Sequence, residues 1–294
     1  MFFKNAQVFR IKDGWNISSE KLAEQIKRRT FQGCGQQDRR ARGWGPVKDD
    51  HLVMDVTGGV MLIALEIETK ILPASVVNRI AAERAKAIQA SAGYKPGRKQ
   101  VREIKDAVEA DLLPKALTKR SRIHAYIDTR NSWVVVDTNS PVAADEVIET
   151  LRECLEELPL HLVETNVSPS SAMTDWLASN DAPEGFTIDR DCELRAATEH
   201  KSFVRYANHS LAGDEIFNLI SQGAIATKLA MTFSDRISFV LTSGFELKRL
   251  KFLDEVTTKV SDPTPESDLF LMASELRALL SSLVEALGGE GGEA

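Results

Sequence analysis

Cysteine is scarce in this chain of 294 residues, and its three cysteines, Cys34, Cys154 and Cys192, are far apart. An odd and scattered set indicates neither a disulfide framework nor a cysteine metal site. Long apolar runs are also missing. No stretch could cross a bilayer, and residues 1–4 do not begin a signal peptide. These absences predict a cytoplasmic protein that makes no membrane contact.

Sequence motifs of catalysis and nucleotide binding are absent as well. The glycine-rich segments match neither GxxxxGK[ST] nor GxGxxG, and neither HExxH nor GxSxG occurs. The five histidines lack the spacing of metal ligands. The acidic segments 49–51 and 189–191 could hold a metal ion, but turns of this composition are common. We therefore expect no catalytic residue, no metal and no cofactor. A hydrolase would need a carboxylate cluster that the sequence does not reveal.

Charge is unevenly distributed along the chain, although the net charge is only −6. Segment 21–48 has eight cations against two acids, and segment 95–122 has nine cations against four acids. Segment 142–199 has fourteen acids against three cations. The basic segments could line a binding site for a polyanion, or they could pair with acidic regions across a subunit interface. Composition leaves both explanations open.

Apolar periodicity predicts an α+β fold of antiparallel sheets and hairpins with packed helices. The chain is expected to form one unit with several subregions. Residues 1–75 and 110–165 would be α+β, and residues 76–112 would form a projecting helical hairpin. Residues 166–200 would be an acidic connecting region, and residues 201–294 a second α+β region. Segment 33–46 is expected to be a glycine-rich basic loop, and segment 93–99 an exposed loop at the tip of the hairpin.

Cations near the predicted hairpin could reach phosphate groups. Lys95, Arg98 and Lys99 lie on the expected tip loop. Four more cations follow the apolar segment 112–114 and are expected to share an exposed surface; they are Lys115, Lys119, Arg120 and Arg122. Simple solvation is the alternative for each cation taken alone.

Cations also recur on consecutive predicted strands of the last third of the chain. In segment 247–252, alternation with period two places Arg249 and Lys251 on one face, and Leu250 and Phe252 on the other. Other cations of this expected sheet are Lys228, Arg236 and Lys248. A flat basic sheet face could bind a nucleic-acid backbone, and the small number of interleaved aromatic residues favours a duplex over a single strand. The alternative is a solvated edge strand, in which lysines suppress aggregation.

A series of short motifs resembles one family of proteins over nearly the whole chain. In order they are Phe3-Lys4-Asn5, Cys34-Gly35, Gln37-Asp38, Gly43-Trp44, Lys70-Ile71-Leu72-Pro73, Leu112-Leu113-Pro114, Ile127-Asp128-Thr129, Thr227-Lys228-Leu229-Ala230, Leu247-Lys248-Arg249-Leu250-Lys251-Phe252 and Glu285-Ala286-Leu287-Gly288-Gly289-Glu290. The chain resembles the RdgC family of bacterial recombination-associated proteins.

The resemblance implies a ring-shaped homodimer that encircles duplex DNA without sequence preference, is associated with the nucleoid and restrains RecA-dependent recombination. The cations in matching motifs are Lys228, Lys248, Arg249 and Lys251, with Lys115 beside another. Single-stranded DNA is a possible second ligand. The competing hypothesis is a protein-interaction module that acts on recombination proteins with little direct DNA contact.

The strand cations are expected to contribute more to DNA binding than the tip cations. Arg249 and Lys251 would project from an ordered strand, whereas a loop containing Pro96 and Gly97 must lose conformational freedom on contact.

Overall fold

The computed structural model describes residues 2–196, 202–253, 256 and 264–291. Within these residues the fold is α+β, with two antiparallel sheets and seven α-helices, as the sequence predicts. No helix in the described part of the chain is long and apolar enough to span a bilayer.

The first sheet has seven strands, and one long strand pairs with three of the others. The strands are β1 (Gln7–Ile11), β2 (Arg40–Gly45), β3 (Met54–Val56), β4 (Val60–Ile71), β5 (Leu117–Asp128), β6 (Trp133–Val136) and β7 (Leu160–Leu162). Their spatial order is β2-β4-β5-β6-β1-β7, with β3 also paired to β4. Strands β4 and β5 pair over twelve residues each, which is the longest strand pairing in this sheet.

Helices cover both faces of the first sheet. Helices α1 (Ser19–Ile26) and α4 (Pro141–Arg152) pack on one face, where Ile63 and Val134 join their apolar side chains in a core. The other face contributes Leu62 and Tyr126 to a larger core that contains the last helix. The sheet is therefore apolar on both faces at its centre, as its nearly continuous apolar run in β4 requires.

A helical hairpin extends from the ends of β4 and β5, as predicted. It consists of α2 (Ala74–Ala92) and α3 (Arg98–Leu112), which pack on each other through a small separate core of Val77, Ala81, Ile104 and Val108. Pro73 precedes α2 and ends the strand without loss of a helical hydrogen bond.

The second sheet has five strands in the order β12-β11-β10-β8-β9. They are β8 (Phe186–Arg195), β9 (Phe203–Tyr206), β10 (Ile225–Phe233), β11 (Ile237–Thr242) and β12 (Leu247–Phe252). The remaining helices are α5 (Pro169–Ser179), α6 (Asp214–Ser221) and α7 (Pro265–Ala286). One sheet face packs against these helices in the larger core, and the opposite face stays polar and accessible.

Helix α7 connects the two sheets. Its leucines are buried in the core that both sheets share. Arg277 of α7 forms an ion pair of 2.8 Å with the buried Asp128 of β5, and Glu275 of α7 pairs with Arg236 beside β11. Each sheet is thus held to α7 by a charge pair in addition to apolar packing.

Three segments differ from the prediction. Residues 40–45 of the expected basic loop form β2, where an added Cβ on Gly43 would lie 2.7 Å from backbone atoms of Phe31. The glycine is needed because another chain segment crosses directly over the strand. Residues 169–179 form α5, with Ser168 as its N-cap. Residues 186–195 of the expected acidic connecting region form β8 inside the second sheet; residues 197–200 of that region lie outside the described residues.

Candidate nucleic-acid interface

The polar face of the second sheet, called the open face below, carries most of the strand cations. In the strand register, Lys228 lies between Glu193 and Thr242, Lys251 lies opposite Ser238, and Lys248 lies opposite Val240. Partners in register share a face of the sheet. The prediction that these cations lie in one antiparallel sheet is confirmed, but they lie on β10 and β12, and the strand between them, β11, carries no cation.

Arg249 and Lys251 are exposed while Leu250 and Phe252 are buried, as predicted, but β12 is not a regular strand at Arg249. This residue has φ of +55°, and the register with β11 shifts between Ser238 and Val240, which marks a β-bulge. The bulge adds one residue, so that Leu247 and Leu250 both face the core although they are three positions apart. Lys248 and Lys251 therefore occupy the regular positions of the open face, and Arg249 projects from the bulge with a 72% exposed side chain.

Most of the cations on the open face form ion pairs with acidic side chains. Glu193 accepts hydrogen bonds from Lys228 Nζ at 3.0 Å and from Arg205 Nη2 at 2.8 Å. Arg249 Nη1 lies 3.3 Å from Asp191 Oδ2, and Lys248 Nζ lies 2.7 Å from Glu246 Oε2. Lys251 has no ion pair with any described residue. The expected flat basic face is therefore wrong, because strand β8 adds a row of acids to it.

A cleft of about 280 Å³ opens on this face. Its wall combines apolar groups with four cations and two acids; the charged residues are Arg205, Lys228, Lys248, Arg249, Asp191 and Glu193. The cations lower the pKa of Glu193 and of Glu246, although burial acts in the opposite direction on both. Both carboxylates are therefore ionised at neutral pH.

Arg236 does not belong to the open face. It pairs with Glu275, whose side chain is only 4% exposed, on the side of the sheet that α7 covers. The prediction that Arg236 is a surface cation available to DNA is corrected by this contact: its guanidinium neutralises a buried acid.

The cations of β5 lie on the exposed end of the first sheet. Residues 117–122 are exposed, and alternate side chains share a face. Arg120 Nε donates to Glu66 Oε2 at 2.8 Å, Arg122 pairs with the same carboxylate, and Arg120 also stacks 4.5 Å from the ring of Phe31. Glu66 is 3% exposed in its side chain, and these arginines lower its pKa against the effect of burial. Glu68 lies opposite Arg120 in the register of β4 and β5, so the two arginines face two carboxylates and their charge is balanced here.

Lys115 and Lys119 are exposed and have no ion pair among the described residues. Lys115 ends the short turn after α3, and Lys119 lies on β5, opposite in pleat to Arg120.

The tip cluster, defined as Lys95, Arg98 and Lys99, lies at the amino-terminal end of α3. The expected loop is shorter than predicted, because Arg98 and Lys99 form the first turn of the helix. All three are exposed, and the described part of the chain supplies no ion pair to any of them. No side chain caps this helix end at Gly97, and its first turn has no acid.

Many of the other charged residues in the basic and acidic segments form ion pairs with each other within one chain. Basic residues of segment 21–48 pair with acids of α4 and with its C-cap residue, Glu153; the pairs are Arg29 with Glu153, Arg40 with Glu146, and Arg42 with Glu146, Glu149 and Glu153. The first basic segment therefore packs against the start of the acidic one. It is not a free polyanion surface.

The described residues include no group of three or more His, Cys, Asp or Glu side chains that could hold a metal ion. Burial lowers the pKa of His124 to about 4, with a further contribution from Arg122, so this histidine is neutral at physiological pH. Burial raises the pKa of the Cys192 thiol to about 12, which makes it a poor nucleophile.

Comparison with known proteins identifies the family. The model of a family described as "Putative exonuclease, RdgC" matches residues 1–290. The recombination-associated protein RdgC of Dechloromonas aromatica (strain RCB) is 47% identical over 301 residues, which cover 99% of this chain and 98% of the relative. The proteins of that name from Janthinobacterium sp. (strain Marseille) and Bordetella parapertussis are each 40% identical over 296 residues, covering 99% of both sequences.

The two kinds of description differ in one respect. The family model's description mentions an exonuclease, whereas the names of these relatives state an association with recombination and no catalytic activity. Both cover nearly the full length of the chain, including the hairpin and the open face. The predicted resemblance is confirmed, and the chain belongs to the RdgC family.

Proposed function

We propose that this protein binds duplex DNA without sequence preference, as a homodimeric ring around the duplex, and that it restrains RecA-dependent recombination at the nucleoid. The names of the relatives, which associate them with recombination, support a role on DNA. The cations on the hairpin, on β5 and on the open face are the proposed contacts to phosphate.

The tip cluster is the observation that carries the DNA-binding proposal. Backbone N–H groups give a helix a partial positive charge at its amino-terminal end, where cations are unfavourable by about 0.3–1 kcal/mol each. Helix α3 nevertheless has Arg98 and Lys99 in its first turn and no acid there. A bound phosphate would neutralise both the cations and the free N–H groups, which explains an arrangement that folding alone does not favour.

Contacts of this kind predict sequence-independent binding. None of the proposed groups has to read a base edge, and phosphate contacts fix position without carrying sequence information. Each contact should contribute about −0.9 to the slope of log K against log salt on duplex DNA.

The dimer is proposed because a single hairpin and a single open face would contact a duplex from one side only. Two copies related by a twofold axis would present the same cations to both sides. Light scattering of the full chain tests this point: a monomer at micromolar concentration would contradict the ring.

The central experiment measures fluorescence anisotropy of labelled duplex and single-stranded DNA over a series of salt concentrations. We expect tighter binding to the duplex, no dependence on its sequence, and a steep loss of affinity with salt. Affinity that does not change with salt would instead favour a protein-interaction module, which the extensive charge pairing on the open face could also support. The DNA should be recovered intact after incubation with magnesium; its shortening would establish the exonuclease activity that the family model's description mentions.

A further inference from the structure

The acids of β8 lie beneath the cations of the open face. The side chain of Glu193 is 13% exposed, whereas its partners Lys228 and Arg205 are 36% and 65% exposed. The same layering recurs for Asp191 and Arg249, which are 39% and 72% exposed. A phosphate group that approaches from solvent therefore meets a cation first and finds a carboxylate directly behind it.

Glu193 is fixed in this position by three donors. In addition to Lys228 and Arg205, the hydroxyl of Thr227 lies 3.1 Å from Glu193 Oε1. The register places Glu193 opposite Lys228 on one side and Arg205 on the other. The carboxylate therefore stays close to both cations when a ligand binds, because rotation would remove its hydrogen bonds with Lys228 and Arg205.

We propose that Glu193 is a built-in counter-charge that limits the affinity of the open face for DNA. This inference rests on the proposed DNA-binding function and assigns a residue that determines its strength. The carboxylate competes with phosphate for Lys228 and Arg205 and reduces their combined charge from +2 to +1. DNA bound through weaker contacts dissociates or slides more readily. The protein can then occupy the duplex without remaining fixed at one position.

A positioning role for Glu193 predicts the opposite result and can be separated from the proposal. If the carboxylate acted mainly by orienting the cations, its removal would weaken binding. The substitution Glu193→Gln removes the charge and keeps one oxygen that can accept from Lys228 and Arg205, which both donate to Oε2. The other oxygen becomes an NH2 group, and the Thr227 hydroxyl can still donate to the backbone oxygen of residue 193 at 3.1 Å. The variant therefore measures the effect of the charge with little change in geometry.

The test compares E193Q with E24Q by anisotropy on one labelled duplex over a salt series. Glu24 is exposed on α1, forms no ion pair with a described residue and does not line the cleft, so E24Q changes the net charge equally. We expect E193Q to steepen the salt slope by about 0.9 and to raise affinity at 0.1 M salt up to about eightfold. E24Q should give less than half of that gain. E193Q added to a K228M/R205M variant should give no gain in affinity over K228M/R205M alone.

Circular dichroism and thermal melting confirm that the variants are folded. Unchanged or weaker binding by folded E193Q, while the wild-type protein binds DNA with a steep salt dependence, overturns this inference and leaves the proposed function intact. An equal gain for E193Q and E24Q also overturns it, because the effect would then be one of net charge. Wild-type protein that does not bind DNA overturns the proposed function and the inference with it.

Discussion

The open face and the tip cluster both display cations, but their surroundings differ. On the open face, Lys228 and Arg249 each contact a carboxylate of β8 that is less exposed than they are. At the tip, Arg98 and Lys99 occupy the positive end of a helix without a described counter-charge. Exposure alone would rank the two surfaces as similar. Their neighbours show that the charge of the open face is largely balanced and that the charge of the tip is not.

This difference changes the expected ranking of the two surfaces. The sequence favours the strand cations, because a tip loop would lose conformational freedom on binding DNA. The structure removes part of that cost, since Arg98 and Lys99 are already ordered in α3. The acids of β8 lower the net positive charge of the open face and should therefore weaken its binding to DNA. We therefore expect the tip cluster to contribute more to DNA binding.

Replacement of the whole tip cluster should produce the largest effect. Each phosphate contact contributes about 0.9 to the salt slope, so the triple variant K95A/R98A/K99A should lose up to about 2.7 log units of affinity at 0.1 M salt. Anisotropy on duplex DNA over a salt series measures both quantities. A control variant with Lys12, Lys21 and Lys27 replaced by alanine changes the net charge equally on another part of the molecule. Equal losses in both variants would mean that the tip is not a specific contact.

Removal of Arg236 should affect stability and leave the DNA affinity of the folded protein unchanged. R236A leaves Glu275 buried without its partner, which should lower the free energy of unfolding by about 3 kcal/mol. Urea denaturation followed by circular dichroism measures the loss. The double variant R236M/E275L replaces the pair by apolar groups and should recover most of the stability. A stable R236A protein with weakened DNA binding would instead show that Arg236 contributes to the DNA interface.

Within the open face, an unpaired cation should matter more than a neutral pair. K251A removes a lysine that has no ion pair among the described residues, and it should lower log K by about 0.9 at 0.1 M salt. The double variant D191N/R249A removes an acid and its cation together, so its loss should be less than half as large. If the pair variant loses more affinity than K251A, Arg249 exchanges Asp191 for phosphate when DNA binds.

The smallest expected effect concerns stability at low pH. Arg120 and Arg122 lower the pKa of Glu66 from its ordinary value near 4.5. A carboxyl group whose pKa is lower in the folded state stabilises the protein above its unfolded pKa, and this stabilisation is lost as the pH falls through the folded pKa. The free energy of unfolding should therefore fall below about pH 4.5, and E66Q should reduce that fall by about 1 kcal/mol or less, since both arginines are exposed. An identical pH profile for E66Q would exclude this contribution.

Much of the fold follows from local sequence patterns. The apolar run of β4, the proline before α2 and the helical spacing of Val101, Ile104 and Val108 predict their elements because each pattern is short-range. The alternation from Leu250 to Phe252 also matches the strand. The bulge at Arg249 was not predictable, because no glycine or asparagine marks its left-handed backbone.

The candidate site was harder to predict, since charge pairing depends on strand order. Glu193 is 35 positions before Lys228 in the sequence, and only the insertion of β8 between β10 and β9 makes them neighbours. Arg236 likewise lies at the start of a strand, but its partner Glu275 belongs to the last helix. The available signal was the spacing of Asp189, Asp191 and Glu193, which alternates as expected for one face of a strand.

Helix α7 has a consequence for how the molecule unfolds. Because its leucines belong to the one core that contains side chains from both sheets, neither sheet can open without exposing the apolar surface of the other. Thermal unfolding of the full chain should therefore occur as one cooperative transition, with equal calorimetric and van't Hoff enthalpies. The ion pairs of α7 with Asp128 and Arg236 couple the two sheets further. A single energetic unit of this kind keeps the two sheets in a constant arrangement when a ligand binds to the open face.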